Sequence, residues 1–230
     1  MERKQAGKGK KRMPLSRERV LKAAMALADK EGMESVTMRR LGQKLGVEAM
    51  SLYKYFPSKE EMFDGLADVI QQQIYVPEIR EDWREGMLKR GHSAREVYKR
   101  FPWALGLVES RVHPVPSVNV YCNAVLGCLR NAGFSNSLAM RAFSIMDSFI
   151  YGAILQEIKS PMTSSDEIVE IAGSLVNSAF AESFPYMTDL ITNHVVKEGY
   201  NHDKEFEFGL NLVLNGLEVE LGKAQKARKN

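Results

Sequence analysis

Between Thr37 and Lys59 the chain places hydroxyl, basic and aromatic side chains around a short glycine turn: TMRRLGQKLGVEAMSLYKYFPSK. Arg39, Lys54 and Lys59 offer positive charge, Thr37 and Ser51 offer hydroxyls, Tyr53 and Tyr55 offer ring faces with polar tips, and Ala49 and Met50 are small or flexible apolar groups. Such a set suits hydrogen bonding to phosphates and contact with the edges of bases, the two kinds of contact that position and specify a protein on nucleic acid.

The elements that must position these groups follow from local chemistry. Thr37 can cap a helix whose inward positions Met38, Leu41 and Leu45 recur at helical spacing. Gly46 can take positive φ and re-aim the chain. A second helix is expected from near Val47, with Leu52 and Phe56 turned inward and Ala49, Met50, Ser51, Tyr53, Lys54 and Tyr55 turned towards solvent or a groove, until Pro57 stops it. Ser58-Lys59-Glu60-Glu61 is a capping box for a longer helix carrying Met62, Leu66, Val69 and Ile70 on one face. Upstream, Ser16 precedes a helix with Val20, Ala24, Leu27 and Ala28 on one face, and Gly32 ends it. The pattern is a helix-turn-helix within a small helical headpiece, and it implies DNA binding.

Residues 15–70, with the run VLKAAMALADKEGMESVTMRRLGQKLGVEAMSLYKYFPSKEEMFDGLA, resemble the amino-terminal domain of the tetracycline-repressor (TetR) family of bacterial transcription regulators. The portion GVEAMSLYKYFPSKEEM resembles the tetracycline-repressor-like subgroup, with a weaker likeness at Gly133-Phe134-Ser135 and at FEFGLNLVLNGLE, residues 206–218. The resemblance implies a homodimer that binds a palindromic double-stranded DNA operator and lets go when a small molecule enters its carboxy-terminal domain. Resemblance and geometry together assign Thr37, Tyr53 and Lys59 to phosphates and Arg39, Ala49, Met50, Ser51, Lys54 and Tyr55 to base edges.

Charge agrees with this division. Residues 1–60 carry 15 Lys and Arg against 7 Asp and Glu, a net +8, whereas residues 61–230 carry 17 against 22, a net −5. Lys and Arg supply the phosphate neutralisation on which non-specific DNA affinity rests. The expected organisation is a disordered basic arm at 1–14, a headpiece at 15–60, a helical ligand-binding and dimerisation domain at 61–222, and a frayed tail at 223–230. The fold class is all-α, because the remaining chain reads as helices at about 81–100, 117–131, 137–159, 166–183, 186–198 and 203–221, the last capped by Asp203. No run approaches the roughly 18 apolar residues that span a bilayer, and the basic amino terminus lacks the apolar stretch of a secretion signal. A cytoplasmic protein with no membrane contact is expected, and Cys122 and Cys128 are expected to stay reduced.

Nothing in the chain suggests an enzyme, a cofactor or a metal site: a glycine-rich phosphate loop, a nucleophile elbow and metal-ligand spacing are all lacking, and His92, His113, His194 and His202 are scattered. Trp103, Tyr121, Val125, Phe143, Met146 and Tyr151 are candidates for lining an apolar effector cavity or for ordinary core. Asp147 interrupts the apolar run SIMDSFIY and requires a partner, whether ligand, hydroxyl or second copy. The stretches ESRVHP, NAVLGC and AILQEI do not reproduce the His-, Gln- and Glu-bearing magnesium–drug site of the family's tetracycline sensors. Leu210, Val213, Leu214 and Leu217 on the last helix are expected at a dimer interface with the 137–159 helix, since apolar residues cover more than one face, and Gly209 and Gly216 would allow close approach.

Overall fold

The computed structural model describes residues 14–111, 113–160 and 164–227, and among them there are helices and turns but no strands. The headpiece begins with α1 (Arg17–Glu31), whose first turn is capped by Ser16 Oγ accepting from the Arg19 amide at 3.2 Å. Gly32, at φ 78°, ends it. α2 (Met38–Leu45) is capped by Thr37 and closed by Gly46 in the left-handed region. The next element departs from the expected α-helix. Val47 and Glu48 stay outside it, and Ala49–Lys54 forms a 3₁₀ segment. Its i→i+3 bonds, Ser51 N–H to Glu48 O and Tyr55 N–H to Leu52 O, suit a piece too short for an α ladder and bounded by Gly46 and Pro57. Ser58 then caps α3 (Lys59–Gln71).

Beyond the headpiece come α4 (Trp83–Arg100), α5 (Pro102–Glu109), α6 (Pro116–Asn131) and α7 (Asn136–Lys159). Short helices α8 (Ser165–Leu175), α9 (Ser178–Ser183) and α10 (Pro185–Leu190) follow, then a π turn at Ile191–Val195, α11 (Val196–Glu198) and α12 (His202–Ala227). The expected helix at 166–183 is broken near Val176, whereas the expected break before the 186–198 helix falls at Phe184-Pro185, where proline at the first helical position starts a new element. α12 continues through the expected frayed tail as far as Ala227. Asn201, not Asp203, meets its first amides, accepting from Asp203 and Lys204. The expected basic arm at residues 1–14 lies outside the described residues except for Pro14.

Two apolar cores meet through α3 and α5. Val20, Leu27, Leu41, Leu52, Phe56 and Met62 build the headpiece core, which also takes in Leu107 and Val115 from the body. Met87, Tyr98, Val125, Leu129, Met146 and Leu214 lie in the body core. Along α3, Leu66 belongs to the first core and Ile70 to the second, so this helix is continuous with both. α7 is long and apolar enough by composition to cross a membrane, contrary to expectation. Its buried face, Ala139, Ala142, Met146, Ile150 and Ile154, instead packs in the body, where α7 meets α4, α6 and α12. Close approach to α12 is permitted by Gly209, where a Cβ would run into the Phe149 ring; Gly216 has open space around it.

Ion pairs tie the body together. Arg95, 5% exposed, holds Glu157 bidentately at 2.7 and 2.8 Å and Asp203 at 2.7 Å, joining α4, α7 and the start of α12. Burial pushes the Glu157 carboxyl up, but hydrogen bonds from Arg95 and Lys99 outweigh it and hold the group below the usual carboxylate range. The expected dimer residues Leu210, Leu214 and Leu217 are at most 5% exposed within one chain, and Val213 is half-buried. They are monomer core because this side of α12 seats on α4 and α7. The outward apolar positions of α12 are Phe208, Leu212 and Val219. Helices α8–α10 contain no buried residue and expose Leu175, Phe184, Met187 and Leu190.

Candidate nucleic-acid interface and ligand cavity

The turn of the helix-turn-helix is tighter than spacing alone conveys. The Val47 amide bonds Gly42 O at 2.9 Å, and a Cβ at Gly42 would sit 2.8 Å from Val47 O and 3.1 Å from the Ala49 nitrogen. Gly42 therefore sets how closely the 3₁₀ segment crosses α2, a role hidden in sequence because nothing marks it apart from other helical glycines. Leu52 and Phe56 are fully buried beneath that segment, which fixes its rotation. Met50, Tyr53 and Lys54 are exposed on this segment, with Ala49 and Ser51 half-buried beside them, and Arg39 is exposed on α2.

Other positions carry structural duties. Thr37 Oγ1 accepts from the Arg40 amide, and Arg40 is paired with Glu31. Lys59 lies in the first turn of α3 with Nζ 4.8 Å from the Phe63 ring centroid, where helix amides also favour an anion. Tyr55 departs from its expected place at a base edge. Its hydroxyl donates to Leu15 O at 2.8 Å, its carbonyl accepts from Arg17, and its ring packs on the headpiece core, so it anchors the chain entering α1.

A cavity of about 510 Å³ opens between α3, α5, α6 and α7. Of the expected lining residues, the structure brings Tyr121, Phe143, Asp147 and Tyr151 to it. Val125 and Met146 are fully buried in the body core and do not reach the cavity. Trp103 is also elsewhere. Its indole N–H donates to Asp29 of α1 at 2.6 Å, and its ring packs against both cores from the first turn of α5. Sequence reasoning missed Gln71, Glu109, Arg111 and Met140, which complete much of the wall. Gln71 had a legible signal: it is a polar residue one turn after Ala67 on the buried side of α3, and it is only 3% exposed.

Asp147 finds its partner within the chain. Arg90, 1% exposed, donates to Asp147 and to the Tyr121 hydroxyl, and its guanidinium lies 5.3 and 5.1 Å from the Tyr121 and Phe143 ring centroids. A buried charge of this kind is tolerated only when paired and hydrogen-bonded. Burial pushes the Tyr151 phenol well up and Cys122 up as well, so both face the cavity as neutral groups near neutral pH. Arg111 pairs with Asp64 of α3 at 3.3 Å, and Ser117 donates its amide to Asp68 at 3.0 Å. Cavity wall and headpiece support are thus one connected set of helices. Among the described residues, no group of three His, Cys, Asp or Glu side chains is placed to hold a metal ion.

Residues 20–66 match the family described as bacterial regulatory proteins, tetR family, and residues 76–221 match the tetracyclin repressor-like, C-terminal domain. The chain belongs to the TetR family. Its relatives include the HTH-type transcriptional repressor DrrR1 of Streptomyces coeruleorubidus, 29% identical over 89% of this chain and 78% of that protein. The class C tetracycline repressor protein of Escherichia coli is 29% identical over 89% of this chain and 91% of its own. Apo ActR from Streptomyces coelicolor superimposes with a TM-score of 0.74 at 25% identity, covering 92% of this chain and 98% of ActR. ActR has also been solved in complex with actinorhodin, and that structure matches with a TM-score of 0.73 at 26% identity over 91% and 99% of the two chains. This TetR-family chain is therefore a transcription regulator with a helix-turn-helix DNA-binding domain and a ligand-binding domain, not an enzyme.

Proposed function

We propose that the protein is a homodimeric repressor that binds a palindromic operator and is released when a small molecule occupies the cavity between α3, α5, α6 and α7. The observation that carries this reading is that α5 serves both sites. Its carboxy-terminal end supplies Val108 and Glu109 to the cavity, and its amino-terminal end supplies Trp103, bonded to Asp29 of α1. A ligand that displaces α5 must also disturb the seat of the headpiece. The complex of ActR with actinorhodin supports a small molecule as effector.

Dimerisation is supported by an apolar stripe left uncovered in one chain. Phe208, Leu212 and Val219 of α12 are 58–69% exposed, and Ile145 and Leu155 of the adjoining α7 are 51% and 40% exposed. Full burial of such a side chain is worth roughly 1.5–3 kcal/mol, and each of these forgoes about half of that unless a second copy covers it. A two-fold pair of headpieces then requires two matching half-sites. On the DNA, Thr37, Tyr53 and Lys59 hold phosphates, and Arg39, Ala49, Met50, Ser51 and Lys54 face base edges.

The test is an operator enriched from random duplexes and followed by fluorescence anisotropy. Protection of two symmetric half-sites is expected, and a ligand found by thermal-shift screening should weaken operator binding by the same factor that operator weakens ligand binding. Trp103→Phe keeps the ring and removes the bond to Asp29, so it should reduce that factor while leaving ligand affinity near wild type. A ligand bound in the cavity with no effect on operator affinity would refute release by this route.

A further inference from the structure

We propose that Met50 reads the C5-methyl group of one thymine in each operator half-site. The proposal rests on the helix-turn-helix reading above and goes further by naming the chemical group recognised. Met50 is 74% exposed, whereas Tyr53, the other exposed large apolar residue of the headpiece, is 41% exposed. Its backbone lies in the first turn of the 3₁₀ segment, held by the close crossing at Gly42 and by fully buried Leu52 beneath. The side chain therefore projects from a fixed base.

The surroundings say what it meets. Arg39 and Lys54 are exposed in the same headpiece, and residues 15–60 carry 9 Lys and Arg against 6 Asp and Glu, a net +3, so the complementary surface is a polyanion. A thioether offers no donor and only a weak acceptor, so Met50 cannot read the hydrogen-bonding pattern of a base edge. In the major groove the thymine methyl is the apolar group that bases present, and an unbranched, polarizable side chain can adjust to cover it. Contact with sugars alone would cover the same thioether without any dependence on a methyl group, which makes the two separable.

The test uses the full-length protein and a duplex enriched from a random pool. Each thymine of the half-site is replaced in turn by uracil, cytosine and 5-methylcytosine, and affinities are measured by anisotropy. At one thymine per half-site, uracil should weaken binding about fourfold, and about fifteenfold when both half-sites are changed, as expected for a buried methyl group. At the same position 5-methylcytosine should bind tighter than cytosine by a similar ratio, although their exocyclic hydrogen-bonding groups differ from those of thymine. Met50→Ala should bring both ratios to one, and its exposure means that the fold is retained; Lys54→Ala should leave both ratios intact. Ratios of one at every thymine with the wild-type protein, or ratios that persist in Met50→Ala, would overturn the proposal. Failure to enrich any duplex would instead remove the helix-turn-helix reading, and this proposal with it.

Discussion

Removing Asp147 tests the account of the body core most directly. Arg90 is 1% exposed and Asp147 19%, so the pair is desolvated on one side and has limited access to water on the other. In Asp147→Ala the guanidinium keeps the Tyr121 hydroxyl and the two ring faces but loses its carboxylate. Breaking a buried pair costs about 3–5 kcal/mol, and the partial exposure of Asp147 places this case near 3. For a chain of this size each kcal/mol lowers Tm by about 2–4 °C, which gives a drop of about 6–12 °C. The companion variant Arg90→Met with Asp147→Leu removes both charges and should melt within about 1 kcal/mol of wild type or above it, because no buried charge is left unpaired. Differential scanning calorimetry of the wild type, the single and the double variant reads both numbers. A single variant that melts within about 2 °C of wild type, or a double variant less stable than the single, would refute the claim that Arg90 depends on Asp147.

Phe208→Asp with Leu212→Asp should yield a folded monomer by light scattering with unchanged far-UV circular dichroism, whereas Leu214→Asp, at a fully buried position, should fail to fold. Glu157 and Asp203 both have folded-state pKa values below their ordinary ones, so the stability they contribute is complete above about pH 4.5 and is lost as pH falls through the depressed folded values. Glu157→Gln should accordingly be less stable at neutral pH and show a flatter acid limb in urea melts taken at a series of pH values. Gly42→Ala gains helix propensity yet pushes a Cβ against Val47 O and the Ala49 nitrogen; operator affinity should fall by roughly one base contact, about 1–3 kcal/mol, with helix content retained.

Where local chemistry alone decides an outcome, the residues were legible. Ser16, Thr37 and Ser58 cap the helices expected of them, and Gly46 takes the left-handed conformation that ends α2. Amphipathic spacing placed Leu41, Leu52, Phe56 and Met62 in the core because one face of each element must be buried wherever the headpiece sits. The cavity was legible only in part. Tyr121, Phe143, Asp147 and Tyr151 were found by type, but Val125, Met146 and Trp103 are of the same type and lie elsewhere. An apolar or aromatic residue on a helix announces that it is buried and leaves open whether it faces a neighbour, a void or another domain.

The sequence by itself determined the helix-turn-helix, the all-α class and the basic character of the headpiece, since caps, glycine turns and charge act over a few residues and need no knowledge of the rest. Tertiary structure decided which face of each body helix meets which partner. Leu210, Leu214 and Leu217 became monomer core and Phe208, Leu212 and Val219 became the outward stripe, although all lie on one helix and are equally apolar. It also decided that Asp147 pairs with Arg90, 57 residues away, and that Trp103 reaches Asp29 across 74 residues. Such pairings depend on how whole helices cross, and crossing is settled by the collective fit of side chains from several elements at once, which no local run of residues encodes.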